Sequence, residues 1–199
     1  MDRYVPGTIA VFVSVVLSVQ ACSQIYDTGE FEVVVDSDSS GETVTCDEYC
    51  QTVLDVCLDD NAQYTTLSQC QQICAHMNVG NVEDTAGNTL SCRDHFALEA
   101  IEATSVHCRS AGPGGNGVCG TNCESFCQLQ NEVCIGANQQ FSSVAACMSV
   151  CAGFDNTIPY SSSVLGGNSL SCRISHLSLA SGAPDTHCPH IAADSPVCN

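Results

Sequence analysis

The chain has very little positive charge. Of its 199 residues only 4 are Lys or Arg, against 22 Asp or Glu, and the formal net charge is -18. Nucleic acids are bound mainly through basic side chains that displace counterions, and anionic lipid surfaces attract polybasic segments. The composition therefore excludes nucleic acid as a partner, and it excludes docking on a membrane through a basic patch.

Large apolar side chains are also scarce. The chain has no Trp, and aromatic residues make up 6% of it, although 44% of its residues are hydrophobic. Burial of large side chains can therefore contribute only modestly to stability. The 17 cysteines offer another source, because a Cys content this high is typical of exported proteins that are held together by disulfides. We expect a disulfide scaffold in an oxidising compartment.

The N-terminal segment is typical of a protein that leaves the cytoplasm. An apolar run of 12 residues, 8–19, follows a short stretch with one Arg. A spanning helix needs about 18 to 20 apolar residues, so the run predicts a cleavable signal peptide over residues 1–21. The sequence VQAC at 19–22 resembles the lipobox of bacterial lipoproteins. That resemblance implies lipidation of Cys22 and a membrane lipid anchor, and Ser23 after it implies the outer membrane. The alternative is that Cys22 is the odd cysteine of a secreted protein.

An acidic segment follows over residues 22–42. It contains six acidic residues and no basic ones, which predicts a solvated tether. Its end partly resembles the calcium loop D-x-D-x-D-G-x5-E, with ligand positions 1, 3, 5 and 12 at Asp36, Asp38, Ser40 and Asp47. The resemblance implies a Ca²⁺ site, although Ser at position 5 and the short Asp at position 12 depart from the pattern.

The other sixteen cysteines form two sets of eight with nearly the same spacing. The intervals are 4, 7, 13, 4, 18, 16 and 11 in the first set, and 4, 7, 13, 4, 21, 16 and 10 in the second. Five of the seven intervals are identical, which indicates an internal duplication. We define repeat 1 as residues 43–119 and repeat 2 as residues 120–199. Eight cysteines let each repeat close on itself.

Each repeat is predicted to be helical. Cys46, Tyr49, Cys50, Val53 and Cys57 lie on one face of a 3.6-residue period. Capping boxes predict helix starts at three places, and a third helix in repeat 1 is expected to open at Asn88 or Ser91. The boxes are Thr45 with Glu48, Thr66 with Gln69, and Thr121 with Glu124. The sequence predicts an all-α fold with a helical hairpin plus a third helix in each repeat.

The hairpins favour particular disulfides. Two antiparallel helices that each carry C-x3-C can be cross-linked twice, because four residues rise about 6 Å on both sides. Cys46 with Cys74 and Cys50 with Cys70 share one midpoint in the sequence, whereas pairing Cys57 with Cys70 would match about 10.5 Å against 6 Å. The equivalent pairs in repeat 2 are Cys123 with Cys151 and Cys127 with Cys147. The pattern resembles small disulfide-stapled helical hairpin families, which implies a fold element and no activity. The remaining four cysteines of each repeat can pair in three ways.

Signatures of catalysis are missing from the sequence. There is no C-x2-C, G-x-S-x-G, H-E-x-x-H or P-loop motif. We therefore expect a non-catalytic protein without a cofactor, acting as a surface or periplasmic binding module for an unknown protein or small ligand.

Histidines suggest an alternative function. Each repeat has one His after the Cys of its third helix and another just before the next Cys: His95 and His107 in repeat 1, and His176 and His187 in repeat 2. A disulfide between Cys92 and Cys108 would draw the first two together. Imidazole pairs bind copper, zinc or haem iron, so a metal or haem carrier is the alternative. The histidines could instead cap helices or satisfy buried carbonyls.

The arginines are expected to have a structural role. Arg93, Arg109 and Arg173 each follow a Cys, and the first and last are equivalent in the two repeats. In so acidic a chain we expect each to pair with a carboxylate, for which Asp55 and Glu132 are candidates.

Overall fold

The computed structural model describes residues 43–199, which form eight α-helices joined by loops and short 3-10 helices. They are α1 (Cys46–Val56), α2 (Leu67–Cys74), α3 (Leu90–Glu99), α4 (Thr104–Ala111), α5 (Asn122–Val133), α6 (Val144–Cys151), α7 (Leu170–Ala180) and α8 (Pro184–His187). Short 3-10 helices lie at Asp59–Asn61, Gly136–Asn138 and Cys188–Ile191. The prediction of an all-α fold with two helical repeats is confirmed for these residues.

Several predicted features lie outside the described residues. They are the signal peptide, the lipidation site Cys22, the tether and three of the four calcium ligands, Asp36, Asp38 and Ser40. Within residues 43–199 no helix is both long enough and apolar enough to cross a membrane.

Side-chain hydroxyls cap the N-termini of the main helices. Thr45 accepts a hydrogen bond from the backbone N–H of Glu48 at the start of α1, and Thr121 with Glu124 forms a complete capping box on α5. The third helix of repeat 1 begins at Thr89, whose hydroxyl accepts from the N–H of Cys92. The expectation of Asn88 or Ser91 is therefore wrong by one or two residues.

Disulfides join the helices within each repeat and never between repeats. The pairs Cys46–Cys74, Cys50–Cys70, Cys123–Cys151 and Cys127–Cys147 are formed, as the shared midpoints favour. The remaining pairs are Cys57–Cys108, Cys92–Cys119, Cys134–Cys188 and Cys172–Cys198. The supposed link between Cys92 and Cys108 is wrong, because Cys108 on α4 reaches back to the end of α1.

The two repeats pack directly against each other. The hydroxyl of Tyr160 donates to the carbonyl of Gln63 at 3.0 Å, and the N–H of Ser162 donates to the carbonyl of Ala62 at 2.8 Å. Of the sixteen cysteines in residues 43–199, all but Cys46 and Cys123 are buried. Disulfide sulfur therefore supplies much of a core that has few large apolar side chains.

Two buried arginines, one in each repeat, donate hydrogen bonds to backbone carbonyls. Arg93 is 1% exposed and donates to the carbonyls of Thr89 and Gly112 at 2.9 and 3.1 Å. Arg173 repeats this arrangement with the carbonyls of Ser169 and Ala192. Backbone carbonyls at the start of the same helix and in a later loop thus accept the hydrogen bonds that carboxylates were expected to accept. The prediction that Asp55 and Glu132 are their partners is wrong.

Candidate metal centre in repeat 2

Three histidines of repeat 2 converge at one end of the repeat. His176 lies on α7, His187 ends α8, and His190 lies on the 3-10 helix that follows. Two disulfides hold these elements. Cys172, one turn before His176, is joined to Cys198, and Cys188, next to His187, is joined to Cys134. The histidines are therefore positioned by covalent links as well as by packing.

The ring nitrogens of the three histidines face one another. The Nδ1 atom of His176 is 3.1 Å from Nδ1 of His187 and 3.3 Å from Nδ1 of His190. On the other side of the ring, Nε2 of His176 is 3.2 Å from the carbonyl oxygen of Leu165. Because a carbonyl can only accept, this contact assigns the proton of neutral His176 to Nε2. The lone pair on Nδ1 of His176 therefore points at the other two rings.

This spacing suits a transition metal ion. A tetrahedral ion with bonds of about 2.0 to 2.1 Å to imidazole nitrogen separates its ligand atoms by about 3.3 to 3.4 Å. The two short distances from His176 are close to that value, and all three ligand nitrogens lie within 4.8 Å of one another. Three neutral imidazoles fit Zn²⁺ or Cu²⁺, and they leave a fourth position for water or another ligand.

The surroundings keep two of the histidines neutral. Burial is the main cause that lowers the pKa of His176, and the nearby charge of His190 lowers it further, while the hydrogen bond to Leu165 acts in the opposite direction. Burial also lowers the pKa of His187, helped by the other two histidines. Metal ligands must be deprotonated, so this environment favours the form of the ring that binds a metal.

A neighbouring disulfide does not supply further ligands. The sulfur atoms of Cys172 and Cys198 lie within 4.8 Å of a ring nitrogen of His176, but they are bonded to each other. A disulfide has no thiolate to offer a metal. The candidate metal centre therefore consists of His176, His187 and His190.

Repeat 1 has the same architecture without the same ligands. The ring of Phe96 contacts both predicted histidines of this repeat, with ring centroids 5.0 Å from His95 and 5.6 Å from His107. A shift of 80 residues, which superimposes His107 on His187, also matches Phe96 with His176 and Ser110 with His190. Among residues 43–199, repeat 1 contributes no group of three potential ligands.

His190 is not among the metal ligands predicted from the sequence. His190 follows His187 by three residues, and the shift of 80 that relates Cys108 to Cys188 would have matched it with Ser110. Matching His95 with His176 instead hid this relation, because the true equivalent of His95 is Ser175. The sequence feature that could have predicted this site is the occurrence of three histidines within residues 176–190.

The predicted calcium site has one ligand in the described part of the chain. Asp47 lies exposed on α1, where its carboxylate accepts a hydrogen bond of 2.7 Å from the side-chain amide of Gln71. The Ca²⁺ site stays a prediction.

A protein-family model matches the chain in two segments. The BfoA family C-terminal domain matches residues 10–122 and residues 120–195. The boundary between the segments coincides with the boundary between the repeats. No curated protein and no solved structure matches the chain. Two matches that together span most of the sequence show that the chain belongs to the BfoA C-terminal domain family and carries its disulfide-rich helical domain twice.

Proposed function

We propose that this chain is an exported, non-catalytic binding protein whose second repeat binds one transition metal ion through His176, His187 and His190. The observation that carries the proposal is that Nδ1 of His176 lies 3.1 and 3.3 Å from Nδ1 of His187 and of His190, close to the ligand spacing of a tetrahedral metal site. The lowered pKa values of His176 and His187 support it. The protein binds the metal ion without catalysing a reaction, because no feature of the sequence supports catalysis.

The geometry favours a single ion over haem. A haem iron takes its protein ligands along the axis perpendicular to the macrocycle, so two axial histidines stand on opposite faces of it. The three imidazoles here have their nitrogens 3.1 and 3.3 Å apart, which leaves no space for a macrocycle between them. A small ion is the ligand that this arrangement fits.

Export and membrane attachment complete the proposal. All sixteen cysteines of residues 43–199 are in disulfides, as expected in an oxidising compartment. The apolar run 8–19 and the lipobox-like VQAC support lipidation at Cys22 and an anchor in a bacterial outer membrane. A lipid-anchored carrier would hold its metal ion close to that surface.

Metal titration of the oxidised, untagged protein tests the binding site. Salt of about 0.5 M is needed, because it screens the loose attraction of cations to a chain of charge -18. We expect one tight site for Zn²⁺ or Cu²⁺. His187→Ala should abolish it, whereas the matched control His107→Ala in repeat 1 should leave it intact. Two tight sites in the parent, or unchanged binding in His187→Ala, would contradict the proposal.

Mass spectrometry tests the anchor separately. The intact protein extracted from membranes should begin at an acylated Cys22, and Cys22→Ser should release the protein from the membrane fraction. A soluble parent protein with an unmodified Cys22 thiol would refute lipidation without touching the metal site.

A further inference from the structure

Arg109 differs from the other two arginines of the described chain. The guanidinium groups of Arg93 and Arg173 donate hydrogen bonds to backbone carbonyls and side chains of the fold. Arg109, in the last turn of α4, has a side chain without a hydrogen-bond partner within residues 43–199, and its Nε atom is shielded from solvent. Burying an N–H group without a hydrogen-bond acceptor costs free energy. The guanidinium of Arg109 therefore lacks an acceptor that would offset this cost.

Arg109 lines a cavity between the two repeats. The cavity has a volume of about 360 Å³, and its wall includes Asn122, Asn156, Thr157 and Tyr160. The side-chain amide of Asn122 donates to Asn156 at 2.7 Å, which ties the start of α5 to the loop after α6. We call this cavity the Arg109 cleft. Cavities of this size accommodate small organic molecules.

The charge distribution indicates the kind of ligand. No Asp or Glu lines the Arg109 cleft, although the chain as a whole carries a charge of -18. Thr121 and Asn122, at the N-terminal end of α5, also line the cleft, and Glu124 in the first turn forms the capping box with Thr121. A guanidinium binds a planar carboxylate well, whereas a polyanion would be repelled by the rest of the surface.

We propose that the Arg109 cleft binds a small organic monocarboxylate, whose carboxylate contacts Arg109 and whose polar groups contact the amides of Asn122 and Asn156. Repeat 2 has Pro189 where repeat 1 has Arg109, so repeat 2 lacks an equivalent of this site. The site is independent of the histidines of the candidate metal centre. A sugar acid and the carboxyl terminus of a peptide share the required chemistry.

NMR of arginine side chains can observe the proposed contact directly. The described chain has only three arginines, so the Nε–Hε signals are few and separable. The probes are glucuronate, N-acetyl-dialanine, glucose and inorganic phosphate, each added to the isotope-labelled protein. We expect the Arg109 signal to move with at least one of the two carboxylates, while the signals of Arg93 and Arg173 stay in place. The carboxylate that moves it at lower concentration identifies the ligand source as sugar acid or peptide.

Two variants make the test specific. Arg109→Gln should weaken binding at least about tenfold, followed through the backbone N–H of Thr157. Gln51→Glu changes the net charge by the same amount at an exposed position of α1 and should leave binding unchanged. The proposal is overturned if neither carboxylate moves the Arg109 signal at about 20 mM, if only phosphate or glucose moves it, or if Arg109→Gln binds as the parent does.

Discussion

Phe96 and His176 occupy the same position in the two repeats, and each ring stacks on the histidine that follows eleven residues later. The ring centroids of Phe96 and His107 are 5.6 Å apart at an interplanar angle of 25°, and those of His176 and His187 are 5.3 Å apart at 27°. The two ring stacks are thus equivalent, and repeat 1 differs from the histidine cluster of repeat 2 at two positions, Phe96 and Ser110 in place of His176 and His190. Repeat 1 serves as an internal control for repeat 2.

Grafting the missing ligands into repeat 1 should create a second site. The variant Phe96→His with Ser110→His gives repeat 1 the three histidines of repeat 2, on a scaffold with equivalent disulfides. We expect the number of tight Zn²⁺ ions to rise from one to two, measured by titration at about 0.5 M salt. Circular dichroism checks that the variant is folded. A folded variant that still binds one ion would show that ligand identity alone does not make the site.

The metal-free protein should lose stability in mild acid. The pKa values of His176 and His187 are lowered in the folded chain, so below about pH 6.5 the unfolded chain binds more protons than the folded one. The free energy of unfolding should therefore fall as the pH decreases from about 6.5 to 5. Asp84 and Asp155, whose pKa values lie below the usual range of Asp, contribute only at lower pH.

Urea unfolding at several pH values measures this dependence. His176→Phe removes one of the two groups, so its unfolding free energy should vary less between pH 7.5 and 5 than that of the parent. An equal slope in parent and variant would show that folding does not lower the pKa of His176.

Replacing Arg93 should destabilise the fold strongly. Its guanidinium satisfies the carbonyls of Thr89 and Gly112 and donates to the hydroxyl of Ser125 in repeat 2 at 2.9 Å. Arg93→Met removes these buried hydrogen bonds to a charged group, so we expect a loss of about 2 to 4 kcal/mol in the free energy of unfolding. Arg109→Met is the matched control, expected to change it by less than about 0.5 kcal/mol. Equal effects of the two variants in urea unfolding would contradict this role.

Reduction should unfold the protein. The described chain has eight disulfides and a core with few large apolar side chains, and each disulfide contributes about 2 to 4 kcal/mol. Circular dichroism at 222 nm with and without a thiol reductant measures the loss of helix, and thiol quantification confirms complete reduction. A fully reduced protein that unfolds cooperatively near the midpoint of the oxidised one would refute the dominance of disulfides.

Local geometry could be predicted from the sequence where it follows from the rise of a helix. The pairs Cys46–Cys74 and Cys50–Cys70 follow from two C-x3-C helices that run antiparallel. The link between Cys57 and Cys108 spans 51 residues, and it depends on where α4 packs, which spacing does not encode. The third helix was expected one residue early, at Asn88, or two residues late, at Ser91, whereas the hydroxyl of Thr89 caps it.

Predictions from charge and from the histidines were less successful, for two physical reasons. The arginines were expected to bind carboxylates, but the fold buries Arg93 and Arg173 among backbone carbonyls, which accept their hydrogen bonds instead. The histidines were matched by their order after the Cys of the third helix, which pairs His95 with His176 although His95 lies three residues after its Cys and His176 four. The equivalent of His176 is instead Phe96, as the shift of 80 residues and the matching ring stacks show, and the tertiary structure brings His190 to the same cluster.

The most direct test of the metal site is His176→Phe, because repeat 1 already carries Phe at this position on the same scaffold. The metal-free variant should unfold at nearly the same temperature as the metal-free parent at pH 7.5. Its affinity for Zn²⁺ or Cu²⁺ at about 0.5 M salt should fall at least about a hundredfold, since even the loss of a group that only orients a ligand costs 10 to 100-fold. A folded His176→Phe protein that binds the metal as tightly as the parent would contradict the account.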